Sequence, residues 1–492
     1  MKKLITTFLT LFIVFSIQAQ DYKSTREAYL KQRKQDKEKH LDSLRKNFDD
    51  YRRQANEEYA QFMRERWEAF QAMQGAPVPK IPEPPQPFER DKDVPIPELP
   101  IKFDKVITIP TPTPKPVEPM KRPDNPTIPN TPSLPSFDFS FYGTPLSVHM
   151  SNALKIKLKD ITENSVADAW QQLSSETSDE LLEDCLALRD ELCLGDWAYY
   201  CMIRDFSEKY FGKGTNEAVV MKTYLMAQSG YNVRIGRKDN NLIILLPFDG
   251  LVYEATYLSF SGICFYDIDS NKGGTYYTFN RSFTKNDRVL SLRMPRTPKF
   301  AFKSAGEKTY TSKRYPDMTV TMSTNKNLID FYNGYPKCQW TNYSWAGLSD
   351  EVKAKLYPML RANVAGKGQI EASNRIINFV QTAFSYQTDD QQFVTERSLF
   401  PDETFFYPYC DCEDRSILFS VLMHDILGLD VVLLHYPEHL ATAVHFTEEL
   451  KGTYLTLDNK TYYVSDPTYI GANVGECMPR YTKTNPQIYK LY

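Results

Sequence analysis

The sequence predicts an α+β protein, because blocks with helical spacing and blocks with strand character follow one another after residue 137. Apolar residues recur at helical steps through residues 161–230 and again through 346–385. Runs rich in β-branched and aromatic residues, such as NLIILLPF and VVLLHY, follow each helical block and end in turn residues. A chain of 492 residues has room for two or three domains. We therefore expect two α+β domains after residue 137.

The composition argues against some classes of partner. The 59 Lys and Arg residues are balanced by 62 Asp and Glu, so the basic surplus typical of nucleic-acid binding is missing. The 32 Tyr and 29 Phe residues predict sizeable packed cores. After the N-terminal segment, no apolar run reaches the roughly 18 residues of a membrane span. We expect neither a nucleic-acid partner nor a membrane span in the processed chain.

Residues 1–20 have the pattern of a secretory signal peptide. The basic start MKK precedes the apolar run LITTFLTLFIVFSI, and a cleavage position follows near Ala19. A retained membrane anchor is the alternative, although the run is short for a span. No cysteine near the cleavage position could carry a lipid. We expect an exported protein in the periplasm, with a secreted or outer-envelope-associated protein as the alternative.

Residues 21–75 predict a long amphipathic helix. Apolar residues, Leu44 and Tyr51 among them, recur at three- and four-residue steps, and no Pro or Gly occurs before the last position. Such a helix pairs in a coiled coil or lies along another surface. Glu58 and Glu65 interrupt the heptad seam, so a homo-oligomer and an envelope partner both remain open.

Residues 76–136 contain nineteen of the 32 prolines and predict an extended, semi-rigid spacer without a core. A proline-rich ligand for an aromatic groove is the alternative. The whole chain then divides into a signal peptide (1–20), a helix (21–75), the Pro-rich linker (76–136), an α+β domain (137–289), a β-rich connector (290–345) and a C-terminal domain (346–492).

The C-terminal domain contains the residue types of an activated thiol. Cys412 begins the helical segment CEDRSILFSVLMHDIL, where unpaired N–H groups and the helix dipole favour thiolate. His439 opens the strand HLATAVHF, and Asp466 lies near the end of YYVSDPTY. In such a triad the imidazole takes the thiol proton and the carboxylate orients the imidazole. We predict these three residues as catalytic, with no metal and no cofactor.

These segments resemble the transglutaminase-like superfamily, the papain-like cysteine enzymes with a Cys–His–Asp triad. The motifs that carry the resemblance are DCEDRSILFSVLMHDILGLDV, YPEHLATAVHF and YYVSDPTYIGANVG, and the helix IEASNRIINFVQTAFSY also fits the core of that family. The resemblance covers residues 370–480. It implies a papain/transglutaminase-like C-terminal domain with Cys412 as nucleophile, His439 as base and Asp466 as orienting acid.

The resemblance also implies an acyl-thioester at the cysteine and action on amide bonds. Many members carry Gly two residues before the cysteine and Trp two residues after the histidine, whereas this chain has Cys410 and Ala441. Glutamine-specific cross-linking is therefore not implied. We expect a cysteine peptidase with a protein or peptide substrate, and the alternative is a non-catalytic envelope scaffold built on the same domains.

Several roles in this region have competing candidates. Cys410 and Cys412 could bind zinc with His424 or His435, but one CxC without a second ligand pair is weak. His445, on the same strand as His439, is the alternative base. Asp414 is expected to complement the helix N-terminus. Gln387, Gln391 and Gln392 are candidates for the second oxyanion donor. The eight cysteines leave one or two disulfides open, with Cys410 as a buried small residue or a disulfide partner.

Residues 150–285 can be overlaid on the C-terminal motifs, with GTNEAVVMKTYLMAQSGY on the segment that starts at Cys412. Gly214 then takes the place of the nucleophile, Asn241 that of the base and, after a shift, Glu254 that of the acid. The hypothesis is a degenerate transglutaminase-like copy without a nucleophile. An unrelated α+β domain is the alternative.

Overall fold

The computed structural model describes the backbone of residues 2–79, 86–108, 135–174, 178–270, 275–283, 288–393 and 395–491, and side chains within these ranges from residue 31 onward. Helices and strands are both abundant, which confirms the α+β class. Within the described ranges, no helix combines the length and the apolar character that a bilayer crossing requires.

The N-terminal helix α1 (Lys2–Phe62) docks through its C-terminal end. The ring of Tyr59 lies edge-on against Trp170 at a centroid distance of 5.0 Å, whereas Leu44 and Tyr51 are 42% and 51% exposed. The predicted helix of residues 21–75 therefore ends early. The side chains of the predicted signal peptide and the Ala19 cleavage position lie outside the described part.

Three short strands follow α1: β1 (Glu68–Phe70), β2 (Met73–Gln74) and β3 (Lys105–Thr108). The N-terminal domain then contains the hairpin β4 (Ser136–Phe141) and β5 (Thr144–His149), and the helices α2 (Glu163–Leu173), α3 (Ser178–Glu191), α4 (Asp196–Phe211) and α5 (Asn216–Gln228). Its further strands are β6 (Arg234–Lys238), β7 (Asn241–Pro247), β8 (Thr256–Phe260), β9 (Ile263–Asp267) and β10 (Tyr276–Thr278).

The main sheet of this domain has the order β1-β10-β6-β7-β9-β8-β2. Its two edge strands, β1 and β2, are separated by only two residues in the chain. Three steps of chain span at most about 11 Å, whereas six strand spacings across a flat sheet would require about 29 Å. The sheet must therefore curl until its edges approach each other.

The connector contains the hairpin β11 (Lys308–Thr311) and β12 (Thr319–Met322), and then α6 (Lys326–Asn333) and α7 (Trp340–Ala346). The prediction of a β-rich connector for residues 290–345 is therefore wrong in its second half. Asn325 caps α6 through its side chain, and Leu328, Ile329 and Phe331 are buried along that helix. Burial of this apolar face stabilises a helix that its short length alone would not.

The C-terminal domain contains α8 (Asp350–Val364), α9 (Gln369–Thr382), β13 (Ser385–Tyr386), α10 (Asp389–Gln392), α11 (Pro401–Phe406), β14 (Tyr409–Cys410) and α12 (Cys412–Leu427). The strands β15 (Val431–Tyr436), β16 (His439–His445), β17 (Tyr454–Leu457), β18 (Lys460–Ser465) and β19 (Gln487–Lys490) follow. The sheet order is β17-β18-β16-β15-β19-β3.

The two main sheets have the same strand order. β8-β9-β7-β6-β10 in the first domain corresponds to β17-β18-β16-β15-β19 in the second, in the same order along the chain. A helix, α5 or α12, precedes the first strand of each set. Each central hairpin closes with a two-residue loop, pairing Lys238 with Asn241 and Tyr436 with His439. The shared topology is what the repeat hypothesis expects.

Part of the predicted spacer of residues 76–136 is packed on the C-terminal domain. Residues 97–101 run beside Tyr454, and the main-chain nitrogen of Ile101 donates to the Tyr454 carbonyl at 2.7 Å. β3 pairs in parallel with β19 at the edge of the sheet. Proline keeps the backbone extended, as predicted, but the apolar residues between the prolines give residues 86–108 a packed position, so this part is not a free spacer.

Candidate functional site

Cys412 is the first residue of α12, directly after the N-cap residue Asp411. The Asp411 side chain accepts a hydrogen bond from the main-chain nitrogen of Asp414 (3.4 Å), and Asp414 accepts one from that of Asp411 (3.2 Å). This reciprocal capping box determines where the helix begins and where the thiol is held. Asp414 also accepts from the main-chain nitrogen of Leu399 (2.8 Å), which ties the helix start to the preceding segment.

The Cys412 sulfur lies against the strand that carries His439. The main-chain nitrogen of Leu440, the next residue in the chain, donates a hydrogen bond to Sγ at 3.2 Å. An N–H group that points at sulfur favours the thiolate over the thiol. Cys412 is only 1% exposed. The helix start and the first residues of β16 are thus in direct contact, as a nucleophile and base would require.

His439 and Asp466 form a buried pair. Nε2 of His439 lies 2.7 Å from Oδ2 of Asp466, and each residue is 2% exposed. The pairing of Thr442 with Ser465 sets the register of β16 and β18, so the two side chains share one face of the sheet. The main-chain nitrogen of Thr468 donates to Oδ1 at 2.8 Å and holds the carboxylate in place.

Tyr481 covers the imidazole, a contact that the sequence did not indicate. Its ring is parallel to that of His439 within 8°, at a centroid distance of 5.3 Å. The other face of Tyr481 stacks on Tyr436 at 4.6 Å. Burial raises the pKa of the Tyr481 phenol, whose hydroxyl has no hydrogen-bond partner among the described residues. Tyr481 ends a short 3₁₀ helix (Pro479–Tyr481), which is too short to show a periodic pattern in the sequence.

Gln381, on α9, holds the segment that follows Asp466. Its Nε2 donates to the carbonyl oxygens of Tyr469 (2.8 Å), Ala472 (3.1 Å) and Asp466 (3.4 Å), and its Oε1 accepts from the nitrogen of Gly471 (3.2 Å). Gln381 is 2% exposed. A polar residue on the apolar face of a predicted helix was the available signal, because a buried amide needs partners.

Cys410 packs against a buried cation. Arg415 is 1% exposed, and its Nε lies 3.5 Å from Sγ of Cys410. The Arg415 guanidinium also donates to the carbonyl oxygens of Gln381 (3.2 Å) and Phe384 (3.1 Å). All eight cysteines lie in the described ranges, and no disulfide joins any of them. Cys410 therefore takes part in the support of the helix start.

The other histidines lie apart from the triad. His445 is at the far end of β16, where its Nδ1 lies 2.9 Å from the Thr461 carbonyl. His424 is near the end of α12 beside Asp425. His435 lies against Trp340, and burial lowers its pKa to about 4. The structure therefore does not bring His424 or His435 to the Cys410–Cys412 motif as a zinc site would require.

Carboxylates also gather near the helix start. Among the described residues, one group of potential metal ligands comes together. It comprises Asp389, Glu396 and Glu413, whose oxygens lie within 4.8 Å of one another. It contains neither cysteine nor histidine. Of the glutamines predicted as oxyanion donors, Gln392 donates to the Tyr409 carbonyl at 3.2 Å, which directs it to the strand before Cys412.

The first domain has different residues at the equivalent positions. The matching hairpins place Asn241 at the position of His439. Gly214, which the overlay puts on Cys412, precedes the N-cap residue Thr215 of α5, whereas Cys412 follows the N-cap residue of α12. Gly214 has φ +76° and no side chain that could react. The two overlaid positions of the first domain therefore carry neither a nucleophile nor a base.

The predicted equivalence of Asp466 with Glu254 is wrong. Glu254 lies in the loop before β8, where it faces Lys337. Strand pairing identifies Asp269 instead: Tyr266 and Tyr463 occupy matching positions opposite β7 and β16, and Asp269 and Asp466 lie three residues beyond them. A local overlay missed this because the short match of VYEATYL to VSDPTYI places the segment before β8 on the end of β18.

Asp269 is held by cations and not by an imidazole. Nζ of Lys222 lies 2.5 Å and a guanidinium nitrogen of Arg204 lies 3.1 Å from its carboxylate, which also accepts a hydrogen bond from the Tyr200 hydroxyl. Burial opposes ionisation, but Lys222 and Arg204 together lower the pKa of Asp269 to about 2. The position of the acid is thus retained within a salt-bridge cluster.

None of the protein-family models, curated proteins and solved structures with which the chain was compared matches it. The functional assignment therefore depends on the motifs and on the geometry of the site.

Proposed function

We propose that the chain is an exported cysteine hydrolase of the transglutaminase-like kind, which cleaves an amide bond of a protein or peptide through an acyl-thioester at Cys412. The observation that carries the proposal is the buried 2.7 Å pair of His439 and Asp466 beside the Cys412 sulfur. Burying a carboxylate and an imidazole costs desolvation free energy. A packing role would not require that cost, whereas thiol activation does.

The mechanism follows from the hydrogen bonds. Asp466 engages Nε2 of His439, so Nδ1 is the nitrogen that accepts the Cys412 proton. The sulfur attacks the amide carbonyl carbon, the C–N bond breaks, and the imidazolium protonates the leaving amine. Water then attacks the thioester with His439 as base, the C–S bond breaks, and a carboxylic acid and the thiol are released. The main-chain nitrogen of Cys412, at a helix start, is the natural oxyanion donor.

Water is our choice of acyl acceptor over an amine. Cys410 and Ala441 stand where many members of the transglutaminase-like superfamily carry Gly and Trp. No motif marks a site for an acceptor amine, and water is always present at the surface of an exported protein. We therefore propose a cysteine peptidase and expect its substrates among envelope proteins or peptides.

The experiment is covalent labelling of the purified full chain with a peptidyl thioester as acyl donor, followed by mass spectrometry. We expect one acyl group on Cys412 and none on the Cys412→Ala variant. His439→Ala should lower the labelling rate about 10²- to 10⁴-fold, the usual contribution of a general base. Labelling that neither substitution changes would contradict the proposal.

A second function is favoured by the burial of the site. Cys412, His439 and Asp466 are each at most 2% exposed, and Tyr481 covers the imidazole. A chain that uses these domains only as an envelope scaffold would keep such a site closed permanently. In that case the peptidyl thioester would label no variant, and an alkylating reagent would reach Cys412 only on unfolding.

A further inference from the structure

The cover loop, residues 466–486, joins β18 to β19 and closes over the triad. It begins with Asp466 and brings the Tyr481 ring onto His439. Cys477, Met478 and Tyr481 are each at most 4% exposed, so the loop is packed and not merely extended over the surface. An amide substrate needs direct contact with the Cys412 sulfur. The part of the cover loop that carries Tyr481 must therefore move before a substrate can react, while Asp466 stays on His439.

The clasp, residues 86–108, is bound to this loop near its start. The main-chain nitrogen of Ile470 donates to the Phe88 carbonyl at 2.8 Å, and the nitrogen of Arg90 donates to the Ile470 carbonyl at 2.8 Å. Nε of Arg90 lies 2.5 Å from Oε2 of Glu476, and the two side chains are 15% and 7% exposed. A salt bridge this sheltered is stronger than one at an open surface.

The clasp also contacts the middle and the end of the cover loop. The guanidinium of Arg480 lies 5.0 Å from the Phe88 ring and 4.9 Å from the Tyr481 ring. Arg480 therefore contacts both the Phe88 ring of the clasp and the Tyr481 ring, which in turn lies against His439. At the end of the loop, the nitrogen of Asp104 donates to the Pro486 carbonyl at 3.0 Å.

We propose that residues 86–108 act as an intramolecular clasp that keeps the cover loop closed over Cys412, so that acylation of Cys412 is slow in the intact chain and becomes faster when the clasp is displaced. The inference concerns regulation of the proposed hydrolase site and rests on that proposed function. It assigns a role to the Pro-rich region: its extended backbone offers carbonyl and amide groups to the loop, and Phe88 and Arg90 provide the side-chain contacts. Any process that removes these residues from the domain would open the site.

The test is the alkylation rate of each cysteine by iodoacetamide in the full chain, read by peptide mass spectrometry. We expect Arg90→Ala and, separately, Phe88→Ala to raise the alkylation rate of Cys412 at least about tenfold. The alkylation rate of Cys477, which lies within the cover loop, should rise together with that of Cys412. Val94→Ala is the matched control, because that side chain is 40% exposed within the same segment, and it should leave both rates unchanged.

Cys338 reports whether a variant stays folded. It is 5% exposed, burial raises the pKa of its thiol to about 12, and it lies outside both the clasp and the cover loop. Unchanged Cys412 alkylation in both clasp variants would overturn the inference. An increase in the alkylation rate of Cys338 together with that of Cys412 would also overturn the inference, because the cause would then be general unfolding.

The alkylation and acylation experiments test the clasp inference and the hydrolase proposal separately. If the clasp variants open Cys412 to iodoacetamide but no variant forms an acyl-thioester, the clasp is real and the hydrolase proposal fails. If the wild-type chain forms the acyl-thioester as fast as the clasp variants, the hydrolase proposal holds and the clasp inference fails.

Discussion

Asp466 uses both carboxylate oxygens in the folded protein. Oδ2 lies 2.7 Å from the imidazole of His439, and Oδ1 accepts a hydrogen bond from the main chain of Thr468 at 2.8 Å. The second bond holds the carboxylate in one orientation, so the first fixes the tautomer and the direction of the imidazole. At the scale of single residues, the chemistry of the proposed site thus depends on the Asp466 carboxylate, each of whose two oxygens has a hydrogen-bond partner.

Replacement of Asp466 by Asn tests this dependence. The amide keeps the size of the side chain but loses the negative charge that stabilises the imidazolium, so we expect the acylation rate of Cys412 to fall about 10²- to 10⁴-fold. The measurement is the labelling rate with the peptidyl thioester. His445→Ala, at the other end of β16, is the matched control and should retain the wild-type rate. Equal rates for Asp466→Asn and the control would exclude Asp466 from the mechanism.

Gln381 positions Asp466 without contacting the Asp466 carboxylate. It donates a hydrogen bond to the main-chain carbonyl of Asp466 instead. Gln381→Ala would leave the carbonyl oxygens of Tyr469 and Ala472 without their buried donor. Such unsatisfied groups cost about 1 to 3 kcal/mol each, so we expect a loss of that order in the free energy of unfolding by urea. The acylation rate should also fall, because the segment after Asp466 loses its anchor. Unchanged stability would show that solvent replaces these hydrogen bonds.

At the scale of elements, the short helix α11 carries two buried acidic residues, Asp402 and Glu403, close to α12. Burial raises the pKa of Asp402 to about 6, against the effect of hydrogen bonds from Ser349, and that of Glu403 to about 7, against the effect of Arg397. Both residues are at most 1% exposed. The folded chain therefore holds protons on α11 at pH values where the unfolded chain has released them.

The consequence is a pH dependence of stability with a definite sign. Because the folded-state pKa of Asp402 is above its ordinary value of 3.8, the free energy of unfolding should decrease as the pH rises from about 4 to about 6. A shift of about two pKa units corresponds to about 3 kcal/mol. Urea unfolding of wild type and Asp402→Asn at pH 4.5, 5.5 and 6.5 measures the effect. The difference between the two chains should vary with pH, and parallel profiles would refute the assignment.

At the scale of the whole molecule, one topology is used in two ways. Both domains have a helix followed by the same order of five strands, and both have an aspartate at the equivalent position after the fourth. In the second domain that aspartate, Asp466, meets His439, and in the first domain Asp269 meets Lys222 and Arg204. Buried apolar side chains form one continuous cluster through both domains, so the first domain supports the second by packing.

The first domain should therefore affect stability and not chemistry. Lys222→Met keeps the apolar stem of the side chain but leaves Asp269 with Arg204 alone, and breaking a buried ion pair costs several kcal/mol. We expect a loss of about 2 to 4 kcal/mol in the free energy of unfolding by urea, measured near neutral pH. The acylation rate of Cys412 in the folded variant should equal that of wild type. A selective loss of acylation without a loss of stability would show that the first domain takes part in the reaction.

Sequence patterns predicted local structure well and long-range contacts poorly. The helix beginning at Cys412 and the strand beginning at His439 lie where the spacing of apolar residues indicated, because short-range periodicity and capping residues specify them. The Glu254 equivalence failed because a short motif match ignores strand pairing, which sets the equivalent positions in the two sheets. The sequence predicts a free spacer for residues 86–108, because many prolines in this segment give no indication of which apolar residues pack on another domain.

The sequence by itself determined the α+β class and the positions of the thiol and the imidazole, because these follow from hydrophobic period, turns and helix-start chemistry. Tertiary structure alone decided that Tyr481 stacks on His439, that Gln381 holds the loop after Asp466, and that residues 86–108 clasp that loop. These contacts join segments tens to hundreds of residues apart. They are set by the register of a shared sheet and by packing between irregular segments, for which a linear sequence has no local signal.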